Sequence, residues 1–225
     1  MNKFDEITKI MKKIIGLFLA LLPFSFCGKQ SNVVVPKSKE VKNMEVKEGM
    51  EVATFAGGCF WCTEAVFLEL KGVKSVVSGY IGGRTVNPTY SEIGTGETGH
   101  AEAIEITFDP ALISFGELLE IFFATHDPTT LNRQGADVGT QYRSEIFYHN
   151  AFQKQLSEDY IALMTSENTF GKPIVTKMSQ APTFYVAEDY HQNYYNQNKT
   201  QGYCSYVITP KIDKLKKMYQ DKLNK

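Results

Sequence analysis

An apolar run ends on two glycines and passes straight into a helical pattern at Ala56-Gly57-Gly58-Cys59-Phe60-Trp61-Cys62-Thr63-Glu64. Val52, Phe55 and Ala56 predict a strand, and Ala65, Val66, Leu68 and Leu70 predict the apolar face of a helix. Cys59 therefore falls at a strand-to-helix turn, where the glycines let the backbone bend sharply and leave a sulfur accessible. The N-terminal end of a helix carries unpaired N–H groups and a partial positive charge, which favour thiolate over thiol. With two aromatic rings directly after it, Cys59 reads as a nucleophile beside an apolar pocket.

The pattern around this turn predicts the rest of the domain. The helix from Cys59 to Leu70 stops at Gly72, and Val73 to Tyr80 is β-like. Arg84 to Gly99 reads as a long loop. Glu102 to Phe108 alternates, with Ile104, Ile106 and Phe108 on one face. Ser114 and Glu117 form a capping box ahead of a helix containing Leu118, Leu119, Phe122 and Phe123, which His126-Asp127-Pro128 ends. A second loop, Thr129 to Gln141, leads to a strand from Tyr142 to His149. Phe152, Leu156, Tyr160 and Leu163 predict a further helix face, Val175 and Met178 an edge strand, and Ile212, Leu215, Met218 and Tyr219 a last helix. The order predicts an α+β fold: a small mixed β-sheet with helices packed on it, of split βαβ (ferredoxin-like) character.

With 225 residues and 43% hydrophobic content, the chain is long enough for one sizeable core. A net charge of −1 gives no support for a nucleic-acid partner. Residues 1–27 are a different material: Lys9, Lys12 and Lys13 precede an apolar run from Ile14 to Phe26, the pattern of an export signal. Cys27-Gly28 follows at once and resembles a bacterial lipoprotein signal, in which Cys27 would be lipidated and attach the chain to a membrane. Phe26 departs from it, because the residue before such a cysteine is usually small. The expectation is an exported protein, periplasmic or membrane-anchored, with a polar linker over 28–48 and a catalytic domain over 49–225. Cys59, Cys62 and Cys204 are an odd count, which points to a working thiol rather than a disulfide framework.

Each candidate residue has a plainer reading beside the functional one. Glu102 starts the alternating strand on its apolar face, and a carboxyl group buried there could stay protonated and donate to a substrate oxygen. The pattern alone favours a solvated strand-end charge. Cys59 and Cys62 have the C-x-x-C spacing of a thioredoxin-like redox pair, yet Cys62 alone could be a packing residue. The four histidines are too scattered to complete a metal site with them. Phe60 and Trp61 point about 100° apart on a helix, so at least one borders the space above Cys59. Tyr90, Asp137 and Tyr142 lie in or beside loops, where polar groups can converge on a pocket.

Many short motifs occur here in one order: Gly57-Gly58-Cys59-Phe60-Trp61 with Glu64, Gly79-Tyr80, Asn87-Pro88-Thr89-Tyr90 and Thr98-Gly99-His100-Ala101-Glu102. His126-Asp127-Pro128, Gln134-Gly135-Ala136-Asp137, Gly139 to Ser144, Ala187 to Gln192 and Gly202-Tyr203-Cys204 complete the set. Over residues 50–215 the chain resembles the A-type peptide methionine sulfoxide reductases. The resemblance implies reduction of methionine-S-sulfoxide, free or in oxidised proteins, with no cofactor. It gives Cys59 the attack on sulfur and Glu102 the role of acid, reversing the reading from pattern. Tyr90 and Tyr142 would donate to the oxygen. Phe60 and Trp61 would hold the methyl group, with Asp137 and Tyr203 on the polar side.

Cys59 would become a sulfenic acid. Cys204 would resolve it as a disulfide, in preference to Cys62, and a thioredoxin-like reductant would reopen that bond. No cysteine follows Cys204, so a relay along the tail is not expected. Two rivals are a general thiol–disulfide oxidoreductase, which leaves Glu102, Tyr90 and Tyr142 unexplained, and an inert lipoprotein on the same fold.

Overall fold

The computed structural model describes residues 49–224, so the segments expected to be an export signal and a linker, with Cys27, lie outside the described residues. The first strand, β1 (Glu51–Gly57), turns directly into α1 (Phe60–Leu68), as the two glycines predict. Gly58 has φ +94°, and a β-carbon there would lie 2.5 Å from the Gln134 side chain. Both the left-handed backbone and the close approach exclude larger residues. Strand β2 is Val73–Ile81, β3 is Ala101–Phe108 and β6 is Ser144–Tyr148. They form the centre of a six-stranded sheet in the order β7-β6-β1-β3-β2-β8, where β7 is Lys177–Gln180 and β8 is Tyr185–Val186. Strand β3 pairs antiparallel with both β1 and β2, so it is inserted between the parallel strands of a βαβ unit. This is the split βαβ arrangement expected from the pattern. Only β6 and β7 pair in parallel among the assigned strand pairs of this sheet.

The alternation of β3 decides which side chains enter the core. Ile104, Ile106 and Phe108 are fully buried with Phe55 of β1 and Phe67 of α1. Against them packs α3 (Phe115–Thr125), started by the Ser114–Glu117 capping box. Helix α1 shows almost no amphipathic pattern because seven of its nine residues are buried. The opposite face of the sheet holds a smaller cluster of Ala56, Ile81, Ala101, Ala103 and Phe147.

The loops and one helix face differ from the sequence expectation. The loop from Arg84 contains a short helix, α2 (Tyr90–Gly94), whose Thr89–Glu92 capping box is a local signal. The loop from Thr129 contains a tiny hairpin, β4 (Arg133–Gln134) with β5 (Asp137–Val138). Tyr142 ends a 3₁₀ turn over Thr140–Tyr142 rather than starting a strand. In α4 (Ala151–Ser166) the buried stripe is Gln153, Leu156, Ser157, Tyr160 and Met164, and Phe152 is 55% exposed, because the face turned to the core runs through Gln153 instead of Phe152. The described residues end with α5 (Tyr194–Gln197), a π-helical turn over Cys204–Ile208, α6 (Thr209–Met218) and a 3₁₀ turn over Gln220–Lys222.

Candidate active site

Cys59 is the N-cap residue of α1, with φ −53° and ψ 122°, and its side chain caps no N–H. The thiol is 8% exposed and faces the carboxyl group of Glu102 and the thiol of Cys62, one turn further on. The sequence reading gave Cys59 the lowered pKa; the structure reverses that. Burial pushes the Cys59 thiol well up, and Cys62 and Glu102 push it further. Cys62 is brought down to about 7, first by hydrogen bonding from the Cys59 thiol and then, against its burial, by the positive charge of Lys211. A helix end alone does not outweigh the loss of water around a sulfur that makes no capping bond. The two thiols titrate as a coupled pair.

Glu102 is 2% exposed, so the solvated strand-end reading fails for a physical reason: β3 begins one residue earlier, at Ala101. It pairs with Tyr80 in the centre of the sheet, and its Oε2 accepts the Phe60 N–H at 3.1 Å. That bond draws its pKa down, but burial dominates and lifts it to about 8. At neutral pH the group is therefore mostly a neutral acid.

Tyr90 and Tyr142 come from different loops and meet near this acid. Burial raises both phenols, Tyr90 to about 12, and the charges of Glu102 and Cys59 raise them further. Both keep their O–H donors across the physiological range. Glu188 fixes Tyr90 from behind: its carboxylate accepts the Tyr90 N–H and the Tyr80 O–H, both at 2.8 Å.

The apolar wall consists of Phe60 and Trp61, whose ring centroids are 6.3 Å apart. Phe60 is buried and Trp61 half-buried. Trp61 stacks on Tyr194 at 3.8 Å and 7°, and its indole N–H donates to His191 Nδ1 at 3.1 Å. His191 therefore carries its proton on Nε2 when neutral, and burial lowers its pKa. On the polar side, the Tyr203 O–H donates to Asp137 Oδ2 at 2.7 Å, and the Tyr203 hydroxyl oxygen is 3.6 Å from Cys62 Sγ.

The expected site residues thus fall in one cluster, with Cys204 at its buried edge, near enough to Cys62 to feel its charge. Cys204 is fully buried, and Cys62 is the charged group that raises its pKa after burial itself. Sequence reasoning assigned no role to Glu64, Glu188, His191 or Tyr194. Three of them lie in or just after the quoted Ala187–Gln192 stretch, but no periodicity marks them as neighbours of Trp61.

A split βαβ sheet with a coupled thiol pair at its first helix and a neutral carboxyl group opposite defines a thiol-dependent reductase. The family profile described as "Peptide methionine sulfoxide reductase" matches residues 51–223. A relative from Deinococcus radiodurans named "Peptide methionine sulfoxide reductase MsrA" is 53% identical over 201 residues, covering 89% of this chain and 98% of that protein. A relative of the same name from Sulfolobus acidocaldarius is 57% identical over 173 residues, covering 77% of this chain and 97% of that one. Among solved structures, the reduced form of Mxr1 from Saccharomyces cerevisiae superposes with a TM-score of 0.66 at 32% identity, covering 72% of this chain and 94% of that chain. Methionine sulfoxide reductase A of Corynebacterium diphtheriae superposes with a TM-score of 0.62 at 35% identity, covering 71% and 80%. The chain belongs to the peptide methionine sulfoxide reductase family, A type, and is an oxidoreductase acting on methionine-S-sulfoxide.

Proposed function

We propose that the reduction runs through Cys59, with Glu102 as its acid, in a pocket that reads the methyl and oxygen sides of the sulfoxide separately. The observation that carries this reading is the buried carboxyl group of Glu102, which accepts the N–H of Phe60, the residue after Cys59, and which burial keeps mostly neutral. The methyl group sits against Phe60 and Trp61, and the oxygen receives hydrogen bonds from Glu102, Tyr90 and Tyr142. The Cys59 sulfur attacks the sulfoxide sulfur, and as that bond forms and makes its S–H acidic the proton passes to the neighbouring Cys62, whose pKa of about 7 leaves part of it as thiolate to receive it. Glu102 gives its proton to the oxygen as the S–O bond breaks. The hydroxyl passes to the Cys59 sulfur as the bond between Cys59 and the substrate sulfur breaks, methionine leaves with that electron pair, Cys59 becomes a sulfenic acid, and the substrate sulfur has been reduced by two electrons at the expense of the thiol. Asp137 and Tyr203 hold the polar side of the substrate.

Resolution by Cys62 is favoured by its contact with Cys59. Its thiol attacks the sulfenic sulfur, water leaves, and a Cys59–Cys62 disulfide forms within one helical turn. The position of Cys204 in Gly-Tyr-Cys favours the other choice, but its sulfur has no hydrogen bond to Cys59 or Cys62 in this conformation. A thioredoxin-like dithiol would then restore both thiols by exchange, completing repair of oxidised proteins or free methionine sulfoxide. The Lys-flanked apolar segment ahead of Cys27 supports an exported protein held at a membrane by its N-terminus. Mass spectrometry of the membrane fraction, detecting or failing to detect a lipidated Cys27, tests that part.

Cys59→Ser should abolish turnover of methionine-S-sulfoxide, and the R epimer should not be reduced by the unmodified protein. Equal turnover of the two epimers would refute a pocket with distinct methyl and oxygen sides.

A further inference from the structure

Glu64 is a buried carboxylate that the mechanism does not use. It lies on α1 five residues after Cys59 and is 1% exposed. Both oxygens are engaged by backbone of a distant segment: Oε1 accepts the Asn193 N–H at 2.7 Å and Oε2 accepts the Tyr194 N–H at 3.2 Å. Asn193 has φ +50°, the left-handed conformation that asparagine adopts more readily than other side-chain-bearing residues. Two bonds to the carboxyl group therefore hold a sharp turn, and that turn delivers the Tyr194 ring onto Trp61 at 3.8 Å. The same segment carries His191, which accepts the Trp61 N–H. Trp61 itself leaves α1 only three residues before Glu64.

We infer that Glu64 is a positioning residue for substrate binding, tying the turn at Asn193 to the catalytic helix so that Tyr194 and His191 hold Trp61 in one orientation. This inference rests on the reading of Trp61 as the methyl-side wall. Only a group with two acceptor oxygens can serve both N–H donors. In Glu64→Gln one oxygen becomes an NH₂ that faces an N–H, so one donor is left buried without a partner. Asn193 can then relax from its left-handed conformation, and Tyr194 moves off the indole. Trp61 alone should sense this, because it is the only tryptophan of the chain.

The test compares the unmodified protein with Glu64→Gln, Tyr194→Leu and the double variant. Readouts are tryptophan emission, its quenching by acrylamide, and kcat and KM for a methionine-S-sulfoxide peptide. Glu64→Gln should raise quenching of Trp61 and raise KM about five- to tenfold, the scale of one ordinary hydrogen bond lost from the support of the indole, with kcat changing less than twofold. Tyr194→Leu should do the same, and the double variant should add little to either, since both act on one stack. If quenching and KM of folded Glu64→Gln match the unmodified protein, the role of Glu64 is overturned. If quenching rises while KM stays unchanged, the assignment of Trp61 to the pocket wall fails, and the role of Glu64 in binding fails with it. If Glu64→Gln does not fold, Tyr194→Leu carries the decision: unchanged quenching and KM there overturn the inference.

Discussion

Replacing Glu102 by glutamine separates what this residue does for the fold from what it does for the reaction. In the folded protein its pKa stands near 8 against an ordinary 4.5, because burial penalises the charged form. Below pH 4.5 the group is protonated in both folded and unfolded chains and has no effect on their balance. Between 4.5 and 8 the unfolded chain ionises while the folded protein keeps its proton. Stability of the unmodified protein therefore falls with rising pH by about 1.4 kcal/mol per pH unit. At pH 7 the accumulated loss is about 3 kcal/mol, and it levels off near 5 kcal/mol above pH 8. Glutamine is nearly isosteric, stays neutral, and its oxygen can still accept the Phe60 N–H. Glu102→Gln should thus be more stable at pH 7 by up to about 3 kcal/mol, raising Tm by about 6–12 °C for a domain of this size. The same change should slow reduction by about 10²- to 10³-fold, since an amide can hydrogen-bond to the oxygen but cannot give up a proton as the S–O bond breaks. Urea unfolding of both proteins from pH 4 to pH 9, with single-turnover rates at each pH, measures both effects. A stability gap that does not grow between pH 4.5 and 8 would refute the buried-acid argument. Retention of the full rate would refute the proton-transfer role.

Other outcomes follow from the same geometry. In the unmodified protein the rate of Cys59 attack should decline above about pH 8, where Glu102 loses its proton, and this alkaline limb should vanish in Glu102→Gln. Tyr203→Phe removes the bond to Asp137 and the contact with Cys62, so the pH profile of Cys62 alkylation should move upward and KM should rise several-fold. An unchanged alkylation profile would show that Tyr203 does not support the Cys62 thiolate. For resolution, Cys62→Ser should stall after one turnover with a thioredoxin donor while Cys204→Ser recycles. The reverse pattern would return the resolving role to Cys204.

The features legible in the residues alone were local or repetitive. The Gly57-Gly58-Cys59 turn, the alternation of β3 and the Ser114–Glu117 cap each act over a few residues, so their physics is written in neighbouring letters. Their order was enough for the split βαβ sheet, and the run of motifs was enough for the family. The tertiary structure decided everything that depends on burial and on contacts between distant segments. Whether Glu102 is a solvated charge or a neutral acid turned on one residue of strand register and on the absence of water around it. Which thiol of the pair is lowered depended on the hydrogen bond from Cys59 to Cys62, on Lys211 far along the chain, and on the desolvation of Cys59. The clamp from Glu64 to Asn193 joins residues 129 apart, which no period or propensity encodes. Ionisation and orientation are set by the whole surroundings of a group, and those exist only once the chain has closed around it.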